Sequence, residues 1–574
     1  MICEPAFLRA RVALLLYASM LQIGLVQFNP TVGDVHGNVA RIADAVNAMT
    51  DDLDIIVTPE LSICGYPPRD LLLSQEFIRS CEGAVFQLAS ICSNKTFTVG
   101  HPRIDPKTGH VRNSVTVVRE GQIIACADKQ LLPHYDIFDE TRYFECGDKV
   151  TTFRLGVEKI GIAICEDFWE GNDVHITQQY DSSPLDELIA AKCDYILAPS
   201  ASPFVRGKHK KRVHYAKEMA RKHGVTIALC NQVGANDDLI FDGGSFVASP
   251  IGVLDSLPQF ESGECAVKER QSVPLAPTFL SLEEELWSAL VLGTRDYFSK
   301  SGHTKAVLGI SGGIDSALVA TVVTAALGPT HVRGVLMPSR YSSLSSIEDA
   351  EKLASNLGIF VETLPIEHLH SAFEETMAEN NMQPSGLAEE NVQARIRGLL
   401  LMAIANQTGA LLMATGNKSE FAVGYSTLYG DMNGAVSVIG DLYKTDVWLI
   451  SNWINANFEK LDFAKCPIPS SSITKPPSAE LKPNQCDQDS LPEYDELDAI
   501  LKLHLDDELS VSGIIETNQF DCELVDKVIR MVDLAQFKRE QAPVILKTTP
   551  RSFGRGRRMP VVMKRSWKAA EGTI

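Results

Sequence analysis

The chain has 574 residues, more than one hydrophobic core usually organises, so we predict two large domains. Hydrophobic residues make up 45% of the chain and charged residues 22%, which is ordinary for a globular protein. The formal net charge of −20 argues against a general nucleic-acid or membrane-surface binder, although an anionic nucleotide could still bind in a local positive pocket.

Thirteen cysteines occur without Cys-x-x-Cys pairs or histidine-rich partners, so the sequence indicates neither a zinc site nor a disulfide framework. An odd number of unpatterned cysteines is typical of the reducing cytoplasm. No apolar run reaches the ~18–20 residues that span a bilayer. We therefore expect a cytoplasmic protein with no membrane and no nucleic-acid partner.

The first nineteen residues form a separate segment. Arg9 and Arg11 precede a short apolar run, which has the shape of a weak signal peptide. Met20 follows at once and begins a strand pattern. We interpret residues 1–19 as an over-long start or a disordered extension rather than as a secretion signal.

Strand and helix patterns alternate over residues 20–266 and predict an α/β domain with a well-filled sheet. The strand candidates are residues 23–28, 55–58, 97–100, 114–119, 160–164, 195–198 and 226–230. Helix patterns lie between several of them, for instance at residues 37–49 and 75–90.

Three chemically useful residues lie at or just after the ends of predicted strands, where α/β folds gather their functional groups. They are Glu60, Lys129 and Cys165. A thiolate is a nucleophile, a carboxylate can act as its general base, and an ammonium can stabilise a developing oxyanion. A lone cysteine at a strand end is more often a buried structural thiol.

The sequence around these residues resembles the nitrilase/amidase superfamily over about residues 21–260. The resemblance lies in residues 59–70 (PELSICGYPPRD), 129–144 (KQLLPHYDIFDETRYF) and 164–169 (ICEDFW). It implies an αββα sandwich, a Glu60–Lys129–Cys165 triad and a thioester on Cys165. It also implies that Glu140 orients the site, although a helix N-terminal acid would explain Glu140 nearly as well.

By the same resemblance, three further residues fall where the glutamine-using members contact their substrate. These are Tyr66, Tyr135 and Ser202, each of which could equally be a packing residue of its loop.

Residues 267–280 are polar and contain prolines, which predicts a linker before a second domain at residues 281–574. After a helix at residues 283–299, βα units repeat and predict a doubly wound parallel sheet. Its strand candidates are residues 306–310, 332–337, 360–363 and 411–415, and helices are expected at residues 345–357 and 391–408.

The first strand of this domain runs into the turn Ser-Gly-Gly-Ile-Asp-Ser, which leads into a helix. Glycines let the backbone approach an anion closely, and the helix N-terminus adds partial positive charge. The turn lacks the Gly-Lys-Ser/Thr ending of a Walker P-loop, and an ordinary strand–helix turn is the alternative interpretation. The motif resembles the PP-loop of ATP pyrophosphatases, in an adenine nucleotide α-hydrolase-like fold.

Other polar groups follow the later strands of this domain. Arg395 and Arg397 could contact phosphates, and Lys444 could reach them as well. Asp315 and Glu420 would suffice for Mg²⁺, which prefers one or two carboxylates together with phosphate oxygens. Taken singly, each of these residues could be a solvated loop residue.

As a set, these motifs resemble NAD⁺ synthetases from about residue 281 to the end of the chain. The resemblance places ATP on Gly309, Ile310, Ser311, Gly312, Gly313, Ile314, Asp315, Ser316, Thr415, Lys444 and Ser478, and deamido-NAD⁺ on Asn391, Arg395, Glu420 and Lys538. One departure is the apolar run at residues 427–429, where the smaller ammonia-using members carry a lysine.

Two stretches of the second domain, one rich in proline and one rich in glycine, fall outside the βα pattern. Residues 466–494 contain too many prolines for regular elements, and the resemblance makes them an active-site loop ordered by ligands. Residues 551–558 are basic, and on their own we interpret them as a solvated tail rather than an RNA-binding arm.

The two resemblances together imply ATP-dependent amidation of deamido-NAD⁺ through an adenylated intermediate, with ammonia from glutamine, by a homo-oligomer. Two alternatives remain at this stage. Another PP-loop amidotransferase, acting on a purine nucleotide or tRNA, would share the glycine turn but should lack Ala-Thr-Gly-Asn-Lys-Ser-Glu, which this chain has at residues 414–420. A degenerate, non-catalytic scaffold would be favoured by loss of Cys165, Lys129 or Asp315, and all three are present.

Overall fold

The computed structural model describes residues 20–169, 180–181, 183–268 and 273–564. The chain divides into two compact units, Met1–Leu280 and Ser281–Ile574. The interpretation of residues 1–19 lies outside the described residues. Within the described part of the chain, no helix is both long and apolar enough to cross a membrane.

The strands of the first unit form two six-stranded sheets and a two-stranded ribbon. They are β1 (Gln22–Gln27), β2 (Ile55–Val57), β3 (Thr96–Ile104), β4 (Val111–Arg119), β5 (Gln122–Asp128), β6 (Thr151–Leu155), β7 (Glu158–Ile162), β8 (Tyr195–Ser200), β9 (Thr226–Asn231), β10 (Val233–Asn236), β11 (Leu239–Asp242), β12 (Phe246–Ser249), β13 (Gly252–Ser256) and β14 (Gly263–Lys268). The sheet orders are β14-β1-β2-β3-β4-β5 and β13-β12-β9-β8-β7-β6, and β10 pairs with β11.

The two sheets pack face to face, and helices cover their outer faces. The helices of this unit are α1 (Val35–Ala48), α2 (Gln75–Ile91), α3 (Pro184–Ala190) and α4 (Lys208–His223). Side chains alternate along a strand, so Ile55 and Val57 of β2 join the core between the sheets while Ile56 packs with α1 and α2. The αββα sandwich is therefore confirmed.

All the strand candidates of the first unit are present, including the strand expected before Lys129, which is β5, but six observed strands had no prediction. Most of these are short or belong to antiparallel hairpins, where a run of four or five residues gives little periodicity. The last strand, β14, pairs antiparallel with β1 and ends at Lys268, two residues into the stretch predicted as a linker.

The second unit contains one parallel sheet. Its strands are β15 (Ala306–Gly309), β16 (Val332–Leu336), β17 (Phe360–Thr363), β18 (Leu411–Ala414), β19 (Val436–Ser437) and β20 (Val544–Ile545), in the order β17-β16-β15-β18-β19-β20. Since β15 is the first strand along the chain and β18 the fourth, the strand order reverses between them. In doubly wound sheets a ligand crevice opens at this reversal, beyond the carboxyl ends of the strands.

Helices flank this sheet and continue beyond it. They are α5 (Leu282–Ser301), α6 (Ile314–Leu327), α7 (Leu344–Leu357), α8 (Glu367–Glu379), α9 (Leu387–Thr408), α10 (Lys418–Val423), α11 (Lys444–Ala456), α12 (Ser470–Thr474), α13 (Tyr494–Leu501), α14 (Val511–Glu516), α15 (Cys522–Leu534) and α16 (Gln536–Arg539). Val307 of β15 and Leu412 of β18 share a core with Ile396 and Leu401 of α9. The predicted doubly wound parallel sheet is confirmed.

Two predictions about irregular segments were wrong. The proline-rich stretch does contain a short helix, α12, whose Ser471 and Ser472 pack against the unit. The basic stretch at residues 551–558 is not a solvated tail, because Ser552, Phe553 and Arg557 are buried. The prediction failed because the many arginines of this stretch suggested solvent exposure, whereas Phe553 packs with the core of the C-terminal helices.

Candidate functional site

In the first unit, Glu60 and Lys129 lie after the ends of two strands of the same sheet, β2 and β5, and their side chains are buried together. Glu60 follows β2 by three residues and Lys129 directly follows β5. The Lys129 Nζ atom donates to Glu60 Oε1 and to Glu140 Oε1, both at 2.8 Å. Although burial alone lowers the pKa of Lys129, Glu140 and Glu60 raise it well above its usual value. Lys129 is therefore a fixed positive charge between two carboxylates.

Cys165 lies after β7, in the adjacent sheet, at the start of a tight 3₁₀ turn that runs to Phe168. Its φ of +48° lies in the left-handed region, which a residue with a Cβ seldom adopts, and such strain clusters at functional sites. Burial and the charge of Glu60 raise the pKa of the thiol well above its usual value, while Lys129 opposes them. The resting group is a thiol, so it must lose its proton to a neighbour during attack.

Glu140 is the second carboxylate on Lys129. Its Oε1 atom also accepts a hydrogen bond of 2.9 Å from the Tyr66 hydroxyl. Burial raises the pKa of Glu140 to about 7, although Lys129 opposes the shift. The carboxyl group thus joins Tyr66 to the cluster, and the alternative in which Glu140 only caps a helix leaves these contacts unexplained.

Tyr135 lies in the same cluster and contacts an acid that the sequence did not single out. Its hydroxyl donates to Glu166 at 3.1 Å, and so does the hydroxyl of Tyr180. Burial raises the pKa of Glu166, although Lys129 and both tyrosine hydroxyls oppose the shift. Ser202 is also buried, and its backbone amide donates to Asn231 Oδ1.

Asp167 joins the two turns that carry Lys129 and Cys165. Its Oδ1 atom accepts the backbone N–H groups of Gln130 at 3.0 Å and Leu131 at 2.7 Å, and Oδ2 accepts that of Ile164 at 3.2 Å. One buried carboxylate therefore holds the residues that follow Lys129 and the residue that precedes Cys165. Burial raises its pKa to about 7 even though the three backbone donors and Lys129 favour the ionised form.

Lys208, the first residue of α4, is a partly buried cation whose charge interacts with Cys165 and Glu166. Burial, and then Arg212, lower its pKa to about 8. Glu166 and Lys208 thus place opposite charges near the thiol. Glu166 stood beside Cys165 in the quoted motif and could have been noticed, whereas no sequence pattern marked Lys208.

In the second unit, a cavity of about 320 Å³ opens at the strand-order reversal between β15 and β18. The residues predicted for ATP that line it are Gly309, Ile310, Ser311, Gly313, Ile314, Asp315, Ser316, Thr415, Lys444 and Ser478. Gly312 is the exception, since it turns away from the cavity. A Cβ there would lie 2.2 Å from the Ser346 carbonyl oxygen, and its φ is +80°, so only glycine lets the turn pack against α7.

Carboxylates and one lysine meet at the floor of this cavity. The Lys444 Nζ atom lies 2.5 Å from Asp315 Oδ2 and 3.5 Å from Glu420 Oε1. Asn417 Nδ2 donates to Asp315 Oδ1 at 2.9 Å, and the Asn417 side chain also caps α10, which carries Glu420. Burial and then Asp315 raise the pKa of Glu420 to about 8, with Lys444 opposing. Two carboxylates that repel each other in this way suit a divalent cation.

Three of the four residues predicted for deamido-NAD⁺ surround one short segment, residues 424–428. Asn391 Oδ1 accepts from the Thr427 hydroxyl, Arg395 Nε donates to the Leu428 carbonyl, and Lys538 Nζ donates to the carbonyls of Gly424 and Ser426. Tyr425 and Ser426 of this segment line the cavity, but Asn391, Arg395 and Lys538 do not. The fourth residue, Glu420, does line it.

The proline-rich stretch supplies one wall of the cavity, through residues 475–481 and Asp487. Glu480 accepts hydrogen bonds from the Ser343 and Ser346 hydroxyls at 2.9 and 2.7 Å, at the N-terminus of α7. Lys475 forms an ion pair with Asp349 of the same helix at 3.2 Å. No local pattern in the sequence marks Lys475, Glu480 or Asp487 as lining residues. Lys475 and Glu480 contact a helix more than 120 residues earlier, and such contacts leave no signal in the stretch itself.

The predicted metal ligands are therefore brought together as a pair. Among the described residues, no group of three or more His, Cys, Asp or Glu side chains could hold a metal ion. Asp315 and Glu420 would have to be completed by ligand oxygens, as expected for Mg²⁺ on a nucleotide.

Both units are similar to known protein families. Residues 22–271 match the carbon-nitrogen hydrolase family and residues 286–542 match the NAD synthase family. The chain is 43% identical over 562 residues to the glutamine-dependent NAD(+) synthetase of Synechocystis sp., covering 94% of this chain and 98% of that protein. It is 38% identical over 582 residues to the glutamine-dependent NAD(+) synthetase of Thermotoga maritima, with the same coverage.

A solved structure extends the similarity to three dimensions. The glutamine-dependent NAD+ synthetase from Acinetobacter baumannii, in complex with adenosine diphosphate, is 35% identical to this chain with a TM-score of 0.73. The match covers 94% of this chain and 98% of that one. Similarity therefore extends across both units.

Proposed function

The chain belongs to the family of glutamine-dependent NAD⁺ synthetases, and from that premise we propose that it makes NAD⁺ from deamido-NAD⁺ in two half-reactions, one in each unit. The first releases ammonia from glutamine, and the second uses ATP to activate the acceptor carboxylate. The observation that carries the proposal is that each unit buries a lysine between two carboxylates beside other groups of its predicted site. Lys129 lies in the cluster with Cys165, and Lys444 lies beside the glycine turn.

Glutamine binds in the first unit with its two charged groups held by opposite charges. Glu166 receives the α-ammonium group, and Lys208 receives the α-carboxylate. Tyr66, Tyr135 and Ser202 complete the walls around the side chain. This assignment is supported by the burial of Glu166 and the partial burial of Lys208, because a buried charge is costly unless a partner neutralises it.

Cys165 is the nucleophile of the first half-reaction. Glu60 takes the thiol proton as sulfur attacks the amide carbon, and Lys129 stabilises the developing oxyanion. The protonated Glu60 returns its proton to the leaving nitrogen, so ammonia departs and a thioester remains on Cys165. Glu60 then deprotonates a water molecule that hydrolyses the thioester, which releases glutamate and restores the thiol.

The second half-reaction activates deamido-NAD⁺. Its nicotinate carboxylate attacks the α-phosphorus of ATP, and the bond to the β-phosphate breaks. Pyrophosphate departs, and an acyl adenylate remains. The glycine turn at residues 311–313 and the N-terminus of α6 bind phosphate oxygens, and Lys444 contributes positive charge. Ammonia then attacks the activated carbonyl, which expels AMP and yields the amide of NAD⁺.

Asp315 and Glu420 would hold Mg²⁺ in this site, because they form the facing carboxylate pair of the cavity. The ion would supply positive charge to the phosphate oxygens of ATP. The Asn417 amide donates a hydrogen bond to Asp315 and so holds this carboxylate in position independently of the ion.

Deamido-NAD⁺ extends from the cavity along segment 424–428. Asn391, Arg395 and Lys538 anchor that segment, so their effect on the substrate passes partly through the position of Tyr425 and Ser426. The division into units at residues 20–266 and 281–574, and assembly into a homo-oligomer, are part of the proposal as well.

Measuring AMP and NAD⁺ formation from ATP, Mg²⁺ and deamido-NAD⁺, with glutamine and with ammonium in parallel, tests the proposal. We expect NAD⁺ and AMP in equal amounts from both nitrogen sources. Glutamine hydrolysis without NAD⁺ from either source would contradict the assigned acceptor.

A further inference from the structure

Asn113 is a buried amide on β4 that contacts Glu60 and Lys129. These two residues, together with Glu140 and Cys165, form what we call the glutaminase cluster. Its Nδ2 atom donates to Glu60 Oε1 at 2.7 Å. Its backbone carbonyl accepts the N–H of Lys129 at 2.8 Å, because β4 and β5 pair up to Asp128, the residue before Lys129. The side chain is fully buried, as is that of Glu60. No motif in the sequence marked this residue.

The hydrogen bonds to Glu60 divide its two oxygens between separate tasks. Oε1 accepts from Asn113 and from Lys129, while Oε2 accepts the backbone N–H of Ala201 at 3.0 Å. A carboxylate oxygen has two acceptor directions, so Oε1 is saturated and Oε2 keeps one free. The free direction is the one that can take a proton from Cys165.

We propose that Asn113 is a positioning residue that fixes the plane of the Glu60 carboxylate, so that its Oε2 atom faces the proton to be removed. The inference rests on the proposed glutaminase half-reaction. Lys129 also holds Oε1, but in that half-reaction its ammonium additionally stabilises the oxyanion. Asn113 is uncharged, and its hold on Glu60 therefore does not depend on the charge state of the reacting groups.

The amide orientation is determined by chemistry. An ionised carboxylate can only accept, so the atom facing Glu60 must be the NH₂ group of Asn113. The Oδ1 atom of Asn113 is buried, and within the described part of the chain it has no hydrogen-bond partner. Because burying an unpaired acceptor is unfavourable, the amide contributes little net stability, and its contact with Glu60 is its evident role.

Other charged and titratable groups also act on Glu60, and a pH experiment must account for them. They are Lys129, Glu140, Tyr66, Cys64 and Cys165. A variant that changes only Asn113 leaves all five in place. A change in the pH profile is then attributable to the new group at position 113.

Asn113→Leu keeps the approximate volume and removes the donor. We expect kcat for glutamine hydrolysis to fall about 10- to 100-fold, as for a misplaced reacting group, with KM for glutamine within twofold. NAD⁺ formation from ammonium should be unchanged. Thr116→Val is the matched control, since Thr116 is buried on the same strand and its hydroxyl bonds to His101 rather than to Glu60.

Asn113→Asp provides a readout that a purely structural role would not affect. A carboxylate at this distance from Glu60 favours protonation of the pair, so the acidic limb of the kcat/KM profile should move up by about one pH unit. The variant also keeps the inference testable if Asn113→Leu does not fold.

An Asn113→Leu enzyme with kcat within twofold of wild type would overturn the inference, and so would equal losses in Asn113→Leu and Thr116→Val. An unshifted acidic limb in Asn113→Asp would also overturn it. If the wild-type enzyme releases no ammonia from glutamine, the proposed glutaminase reaction itself fails. If the wild-type enzyme is active and the variants behave as just described, only the inference about Asn113 fails.

Discussion

Lys129 and Lys444 are each buried between two carboxylates, one pair in each unit. The Lys129 Nζ atom is 2.8 Å from both Glu60 and Glu140, and Lys444 contacts Asp315 and Glu420. Removing one member of a buried group of this kind leaves an uncompensated charge, which costs more than the intact pair contributes. Buried groups of this kind contribute little net stability, which is consistent with a chemical role for Lys129 and Lys444.

Glu140 should make the stability of the protein depend on pH. Its pKa is raised from 4.5 to about 7, chiefly by burial, so the folded protein binds this proton more tightly than the unfolded chain does. The resulting stabilisation is present below pH 4.5 and is lost as the pH rises to about 7. Glu140→Gln has no such titrating group. Between pH 5 and pH 8 its free energy of unfolding should therefore rise relative to that of wild type by up to about 3 kcal/mol.

Denaturant unfolding of both proteins at several pH values measures the difference. Glu120→Gln is the control, because the Glu120 side chain is exposed and its ion pair with Arg119 lies at the surface. A constant difference between Glu140→Gln and wild type across this range would contradict the raised pKa.

At the level of secondary-structure elements, the glutaminase cluster depends on how closely the turn after β2 lies on β3. Gly100 in β3 has no side chain, and a Cβ there would lie 2.4 Å from the Leu61 nitrogen and 2.8 Å from the Glu60 carbonyl carbon. Both are backbone atoms, which cannot rotate away. The missing side chain at position 100 is thus what allows Glu60 to reach Lys129.

Gly100→Ala should therefore displace Glu60 and lower glutamine hydrolysis at least about 100-fold, as expected for a shift of about 1 Å in a reacting group. Ammonium-supported NAD⁺ formation should survive, because the other unit is unchanged. Gly83→Ala is the control, since a Cβ at that helical position meets nothing within 4 Å. Normal hydrolysis in Gly100→Ala would show that the turn can move without loss of function.

Helix α10 is attached to the C-terminal segment through Lys418. The buried Nζ atom lies 3.1 Å from Asp441 and from Asp506 and donates to Thr549 Oγ1 and to the Arg551 carbonyl. The same helix presents Glu420 to the cavity. The basic C-terminal stretch is therefore connected, through the Lys418 ammonium group, to the helix that lines the proposed ATP site.

Lys418→Met should destabilise the second unit by about 3–5 kcal/mol, because two carboxylates lose their buried cation. Lys460→Met is the control, since the Lys460–Glu284 pair is largely exposed and should contribute no more than about 1 kcal/mol. Thermal unfolding of the two variants beside wild type makes the comparison. Equal shifts in both variants would contradict the role of Lys418.

On the scale of the whole molecule, each unit has its own core and its own charged cluster. The candidate nucleophile belongs to the first unit and the ATP cavity to the second. Under the proposed function, a substitution confined to one cluster should therefore leave the other half-reaction chemically intact.

Cys165→Ala should abolish glutamine-supported NAD⁺ formation and leave ammonium-supported formation within about twofold, because the second unit does not use the thiol. Asp315→Ala should lower AMP formation about 100-fold or more from either nitrogen source, while some glutamine hydrolysis persists. Both activities are measured on each variant. Loss of both nitrogen sources in Cys165→Ala, or unchanged AMP formation in Asp315→Ala, would contradict the two-site assignment.

The fold was largely predictable because buried parallel strands are continuous apolar runs and the helices between them have strong periodicity. Residues 306–310 and 411–415 were expected as strands and lie side by side as β15 and β18. Strands β10 and β11 were missed, because they form a short antiparallel hairpin in which each strand ends on a polar residue and no helix pattern separates the two. The C-terminal stretch was misjudged because its arginines outnumber the one buried phenylalanine that anchors it.

Sequence periodicity and short motifs were sufficient to predict the fold class of both units and the chemical identity of the groups at strand ends. Those features are local, since periodicity and glycine turns are encoded within a few residues. Which groups meet in space depends instead on long-range packing. Several of these contacts join residues tens to more than a hundred positions apart. They are the contact of Asn113 with Glu60, that of Asp167 with the residue after Lys129, the packing of Gly312 against α7, and the position of Glu480 at the N-terminus of α7. Such contacts are set by the register of strands and the packing of helices, which no single stretch of sequence contains.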